Sequence, residues 1–243
     1  ADASNYPSVY YRIVSGTYTS QYAVGKYDVN IAAGSIAWMS FPFGVQPGCD
    51  MVSEWFGQQL QARLYDYHDY PTLQVQNGLG GTVIENKYFI DGDSYVTNWV
   101  YDDPIVLNAG YVLFLAQTDP AVKLTSLGMV PTNGVSLQVP YQTIPWVGLS
   151  YPSSVDMRDS GITNLFNPPQ KYSLFDYDFV DSQQIPGGPV WYAEYFIDDW
   201  GGGTTNFFVS VTGADKIQAG KSYLLFFSTT RNLTGTWNFV KPY

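Results

Sequence analysis

The sequence predicts an all-β protein: two tandem, duplicated β-sandwich or barrel-like domains, each with one short helix, preceded by an N-terminal strand-like arm. Three observations carry this. The stretch from Ser40-Phe41-Pro42 to Leu64-Tyr65-Asp66-Tyr67 returns as Ser150-Tyr151-Pro152 to Leu174-Phe175-Asp176-Tyr177, displaced by 150 − 40 = 110 positions. That period is too long for a solenoid repeat and suits one small domain. Short alternating segments separated by Asn-Gly, Gly-Gly and Asp-Gly pairs read as strands and turns. Finally, aromatics make up 17% and charged residues only 13%, with 21 tyrosines and 23 glycines; a disordered chain has more charge and fewer apolar groups.

Further echoes support the duplication. Trp55 and Phe56 fall on Leu165 and Phe166, and Tyr88-Phe89-Ile90-Asp91 on Tyr195-Phe196-Ile197-Asp198. Asn108-Ala109-Gly110 and Tyr111 return as Gln218-Ala219-Gly220 and Tyr223. The predicted units are an arm at 1–23, a first β domain at 24–131 and a second at 132–243.

Along the arm, Val9, Tyr11 and Ile13 alternate with Tyr10, Arg12 and Val14, the two-residue period of a strand, until Ser15-Gly16 breaks it. Strands are expected over Ala23 to Ile31, Ile36 to Phe43, Arg63 to Tyr67, Thr72 to Gln76, Thr82 to Ile90, Ser94 to Tyr101, Gly110 to Leu115 and Lys123 to Val130. The second domain repeats the order. The helix of the first domain is predicted over Asp50 to Ala62, with Asp50 as its cap and Met51, Trp55, Leu60 and Leu64 on its apolar side. Its counterpart, Asp156 to Asn167, holds Gly161 and runs into Pro168-Pro169, so it should be shorter.

Composition also bounds function. A formal charge of −10 argues against nucleic acid and anionic membranes, which need clustered Lys and Arg. No apolar run is long enough for a membrane span. The single cysteine, Cys49, excludes an intrachain disulfide and sits beside Asp50, the wrong neighbourhood for a reactive thiolate. The opening Ala1-Asp2-Ala3-Ser4 lacks methionine and resembles the remnant of signal-peptide cleavage before Ala1, so a secreted, extracellular or cell-surface location is expected.

Catalysis finds little support. His68, between Asp66 and Asp69, is the sharpest candidate base or ligand, yet the repeat sets Asp178 opposite it. One His and one Cys cannot build a zinc site, and no G-x-S-x-G elbow supports a serine nucleophile. The carboxylate pairs Asp66/Asp69, Asp91/Asp93, Asp102/Asp103 and Asp198/Asp199 are not distinguished from one another. Asp91-Gly92-Asp93 and Asp198-Asp199 lack the twelve-residue calcium-loop pattern, and Gly201-Gly202-Gly203 has no lysine or helix after it for phosphate. We therefore expect a non-enzyme with no catalytic residues, metal or cofactor. Trp99, Trp191, Trp200 and Trp237 are candidate glycan-stacking residues, although tryptophan also anchors cores and interfaces. Asn232-Leu233-Thr234 is an N-glycosylation sequon.

The run Val24-Gly25, Val29, Ala33-Gly34, Ser40-Phe41-Pro42-Phe43 and Gly110-Tyr111 resembles a repeat of uncharacterised exported bacterial surface proteins, of the type V-G-x-x-x-V, A-G, S-x-P-F, G-x-G-Y-W. The chain departs from it with Trp38 two residues before Ser40 and Val112 in place of the terminal Trp. The resemblance implies a secreted β-rich module and brings no catalytic residues.

The expected function is a structural subunit of an extracellular self-assembling filament, pilus-like fibre or surface layer, its partners being copies of itself. The arm residues Val9, Tyr10, Tyr11, Ile13 and Val14 would add to a neighbour's sheet. The alternative is a carbohydrate-binding module that takes surface polysaccharide.

Overall fold

The computed structural model describes residues 8–12, 14–44, 50–56, 59–60, 63–64, 70–90, 97–183, 185–198, 204–210, 214–231 and 233–239. The arm contributes β1 (Ser8–Tyr11) and a small hairpin, β2 (Val14–Ser15) with β3 (Tyr18–Thr19). The first half then forms β4 (Val24–Ile31), β5 (Ile36–Met39), helix α1 (Val52–Phe56), β6 (Arg63–Leu64), β7 (Thr72–Gln76), β8 (Val83–Ile90), β9 (Thr97–Val100), β10 (Tyr111–Phe114) and β11 (Val122–Met129). The second half forms β12 (Val135–Pro140), β13 (Trp146–Gly148), β14 (Val155–Asp156), β15 (Gln170–Lys171) and β16 (Asp178–Gln183). It ends with β17 (Val190–Asp198), β18 (Thr204–Ser210), β19 (Lys216–Ile217), β20 (Ser222–Phe226) and β21 (Thr234–Phe239). The protein is nearly all β, and no helix among the described residues is long and apolar enough to cross a membrane.

Each half layers a small sheet over a six-stranded one. In the first half the large sheet runs β5-β10-β7-β8-β6, with β9 also on β8; in the second it runs β13-β20-β16-β17-β15, with β18 also on β17. The two orders correspond strand for strand, down to the one parallel pair in each, β6 with β8 and β15 with β17. The small sheets are β4 paired to β11 and β12 paired to β21, with β1 added to β4 only.

Two separate cores result. In the first, Val29, Ile31 and Leu124 of the small sheet meet Leu73, Val75 and Leu113 of the large one, and α1 closes the side with Val52, Trp55 and Phe56. In the second, Val139, Trp237 and Phe239 meet Val147, Val180 and Leu225, closed by Ile162, Leu165 and Phe166 from a 3-10 turn. Alternation explains the strands: β7 buries Leu73 and Val75 while Thr72 and Gln74 stay half-exposed. Tyr111 and Tyr223, both 0% exposed, play one role. Their hydroxyls accept the N–H five residues upstream, from Val106 at 2.7 Å and Gln218 at 2.5 Å, so the loop before each central strand is tied to the core.

The structure corrects three expectations. Within the described residues the helix spans only Val52–Phe56, and Gln59 and Leu60 are not helical. Its cap is Asp102, not Asp50: the Asp102 carboxylate accepts Ser53 N–H at 2.8 Å and Ser53 O–H at 2.6 Å, satisfying an orphan donor of the first turn from a distant loop. Third, the displacement between the halves is not constant. Val52 and Ile162 share 110 positions (162 − 52), but β6 pairs Arg63 with Phe89 as β15 pairs Gln170 with Phe196, 107 positions on (170 − 63). Accordingly Leu174 ends a 3-10 turn whereas Leu64 lies in β6. Pro71, not His68, corresponds to Asp178: the Tyr88 N–H bonds Pro71 O, and Asp178 faces Tyr195.

Asp178 is itself structural. Its buried carboxylate takes Arg231 at 2.7 Å, with side-chain exposures of 0% and 7%, and also the Ser228 N–H. Arg231 further donates to Asn167 O and Pro168 O and lies over the Tyr141 ring. Burial raises the Asp178 carboxyl in spite of these partners. Removing the cation strands a buried charge, so Arg231→Met should cost about 3–5 kcal/mol in urea unfolding at pH 7. The loss should shrink toward pH 4 as Asp178 takes up a proton; a loss independent of pH would contradict the assignment.

Candidate assembly interface

The terminal strands of the two large sheets, β5 and β13, face the opposite half, and glutamine side chains complete their edges. Gln183 donates to Ile36 O (2.9 Å) and accepts Trp38 N–H (2.9 Å). Gln76 donates to Ile144 O (2.9 Å) and accepts Trp146 N–H (2.8 Å). A primary amide carries the donor and acceptor of a peptide group, so each glutamine acts as one residue of a surrogate strand. Main-chain bonds join in: Gly110 N–H to Trp146 O at 2.9 Å, Gly148 N–H to Asn108 O at 3.1 Å and Ser40 N–H to Gly220 O at 2.9 Å. Gly148 permits the approach, since a side chain there would collide with Ser40. The halves thus form a stitched pair, and the arm is attached at their junction.

Strand β1 pairs antiparallel with β4 of its own chain, Ser8 opposite Tyr27 and Tyr11 opposite Val24. The expectation was that this strand lies in a neighbour's sheet; in the single chain it folds back onto β4. Among the arm residues expected to make contacts, Tyr10 is tied to the body of the chain. Tyr10 packs edge-on to Phe43 at 6.3 Å and donates its hydroxyl to Pro152 O of the second half at 2.6 Å. The reason is register. Tyr10 sits opposite Gly25, where a side chain would strike the Phe43 ring; the missing Cβ leaves that ring exposed to Tyr10. Tyr11 lies opposite the exposed Val24 and is 49% exposed. Val14 is 66% exposed in its hairpin, and Ile13 lies outside the described residues. Beside the arm a largely apolar cleft of about 430 Å³ is lined by Tyr10, Arg12, Ala23, Val130, Pro131 and Pro152.

Strand β4 is held from its outer face by charge. Asp28, its side chain 6% exposed, meets Lys123 at 2.8 Å and Lys26 at 2.9 Å and accepts the Thr125 hydroxyl at 2.7 Å. Burial alone would raise this carboxyl, but these bonds outweigh it and hold it down at about 2.

The remaining candidates divide. Trp237 is 0% exposed and donates its indole N–H to Ser160 O at 2.8 Å, so it is a core residue with no face for a sugar. Trp99 packs on Tyr88 at 4.9 Å and on Phe56 at 6.0 Å. Trp191 is half-buried on β17, and Trp200 lies outside the described residues. So do His68, Cys49, Asp66, Asp69, Asp91, Asp93, Asp199, Gly201-Gly202-Gly203 and Asn232. Asp102 is engaged as the helix cap, and Asp103 donates its N–H to Asn86 at 2.8 Å. Among the described residues no three His, Cys, Asp or Glu gather as a metal-binding group. The surrogate-strand glutamines were missed in the sequence, although Gln76 and Gln183 both close a strand just before a turn. Comparison with protein-family models, with curated proteins and with solved structures found no match to this chain.

Asp28 gives a signed prediction. Its carboxyl is depressed from 3.8 to about 2, so its stabilisation is present above pH 4 and lost as pH falls through 2. With the lysines partly solvated, the expected cost of Asp28→Asn is on the order of 1–2 kcal/mol at pH 7 and about zero at pH 2. Unfolding midpoints across that range check it.

Proposed function

We propose that this chain is a structural subunit of an extracellular self-assembling filament, pilus-like fibre or surface layer, linked through its N-terminal strand. The observation that supports this reading most is the status of β1. It belongs to neither half and is added to the edge of a sheet that is otherwise complete. It is held by a four-residue ladder and one tyrosine anchor. Such a strand can exchange its own edge for an equivalent edge on a neighbour, because the same main-chain ladder can form in either place; this is the logic of strand addition and of swapping.

The connecting segment favours exchange. Its hairpin carries Val14 and Tyr18 at 66% and 64% exposure, followed by Tyr22 at 46%, so little apolar burial fixes it in place. Pairing within the chain benefits from an effective concentration on the order of mM, so pairing between chains requires concentrated protein. A share of charged residues of only 13% and abundant tyrosine suit broad subunit contacts.

Analytical ultracentrifugation over a concentration series tests the reading. Species larger than the monomer are expected to grow with concentration for the full chain and to be absent when Ser8–Tyr11 are deleted. A deletion variant that assembles like the full chain would refute the arm's role.

A further inference from the structure

Strands β4 and β12 occupy corresponding places in their halves, and among the described residues only β4 has its outer edge covered. Residues 110 positions apart point the same way: Tyr27 and Leu137, Val29 and Val139 all pack on their respective cores (137 − 27, 139 − 29). Val130 N–H bonds Ala23 O. Antiparallel alternation from that pair turns Gly25 and Tyr27 toward β11 and leaves the main-chain groups of Val24 and Lys26 facing outward. There β1 meets them, Tyr11 opposite Val24 and Val9 opposite Lys26. In the second half, Tyr141 N–H bonds Leu233 O. The same alternation directs Val135, Leu137 and Val139 toward β21 and the main-chain groups of Gly134, Ser136 and Gln138 outward. Among the described residues β12 has no ladder partner but β21.

Resting on the subunit reading above, we propose that the outer edge of β12 is the acceptor for the arm strand of a second copy of this chain. The register follows from the equivalence: Tyr11 of the incoming strand opposite Gly134, Val9 opposite Ser136, Ser8 opposite Leu137. The edge fits this occupant in length. Pro140, facing the same way, has no N–H and ends the usable edge, leaving the stretch that corresponds to the segment of β4 covered by β1. Natural sheets blunt free edges with charge or proline; Pro140 guards only the far end, and Val135 to Val139 read Val-Ser-Leu-Gln-Val without a charged residue. Arm and acceptor lie at different places on the subunit, so the contact is head-to-tail, and it propagates wherever the rotation between successive copies does not close a ring.

The test combines an edge-blocking variant with a crosslink, both in the full chain. Ser136→Pro removes an outward N–H and none of the bonds to β21. It should keep the far-UV circular dichroism of the parent while requiring at least a ~10-fold higher concentration to assemble, the equivalent of losing one main-chain bond pair. In an equimolar mixture of Val9→Cys chains and Ser136→Cys chains, each also carrying Cys49→Ser, oxidation should trap mixed dimers. The Cα separation of a hydrogen-bonded pair, about 5.5 Å, lies within disulfide range. If the proline variant fails to fold, the crosslink decides. Assembly of folded Ser136→Pro at the parental concentration, or Ser136→Cys chains crosslinking only to one another as β12 self-pairing requires, overturns the acceptor and leaves the subunit reading intact. A parent chain that stays monomeric at every concentration overturns both.

Discussion

A strand at the edge of a sheet presents main-chain donors and acceptors that must find partners, and the arrangement of this chain follows from how each edge does so. Gln59 bonds Thr125 on both sides, accepting its N–H at 2.7 Å and donating to its carbonyl at 3.2 Å, which completes β11. Gln183 does the same for β5 and Gln76 for β13, and because those partners belong to the opposite half, closing the edges also joins the halves. Strand β4 takes the arm. A buried amide left unpaired costs about 1–3 kcal/mol, so these side chains influence stability far more than their surface area indicates.

That pattern also explains why the arm stands apart from the rest of the chain. The edges of β5, β11 and β13 are closed by side chains of the folded body and cannot be transferred to another molecule. The edge of β4 is closed by a separate strand on an exposed connection, fixed chiefly by Tyr10 between Phe43 and Pro152. On the other face of β4 the Asp28 cluster holds the strand in place.

Much of this was legible in the sequence, and the failures have physical causes. Alternation placed β7 at Thr72–Gln76 without error, because two-residue periodicity is a local property. It also identified the arm as a strand, but it could not say which strand pairs with it, nor that Gly25 opposite Tyr10 makes room for that ring. The helix was overextended because apolar spacing continues past the point where the chain must turn to reach β6. Its cap, Asp102, is invisible locally because it arrives from a loop far along the chain. The matching words Leu64-Tyr65-Asp66-Tyr67 and Leu174-Phe175-Asp176-Tyr177 hid a change of displacement that the Tyr88 and Tyr195 echo already carried and that the ladder registers locate. Among the tryptophans, residue type gave no distinction between Trp237 in the core and the half-buried Trp191.

The account turns on whether the unpaired amides of β12 become paired when molecules meet. Amide hydrogen exchange at Ser136 and Gln138, compared between dilute and concentrated protein, reads this without altering the chain. The account predicts fast exchange at both positions in dilute solution and strong protection at Ser136 once larger species form. Equal, rapid exchange at Ser136 in both states would contradict it.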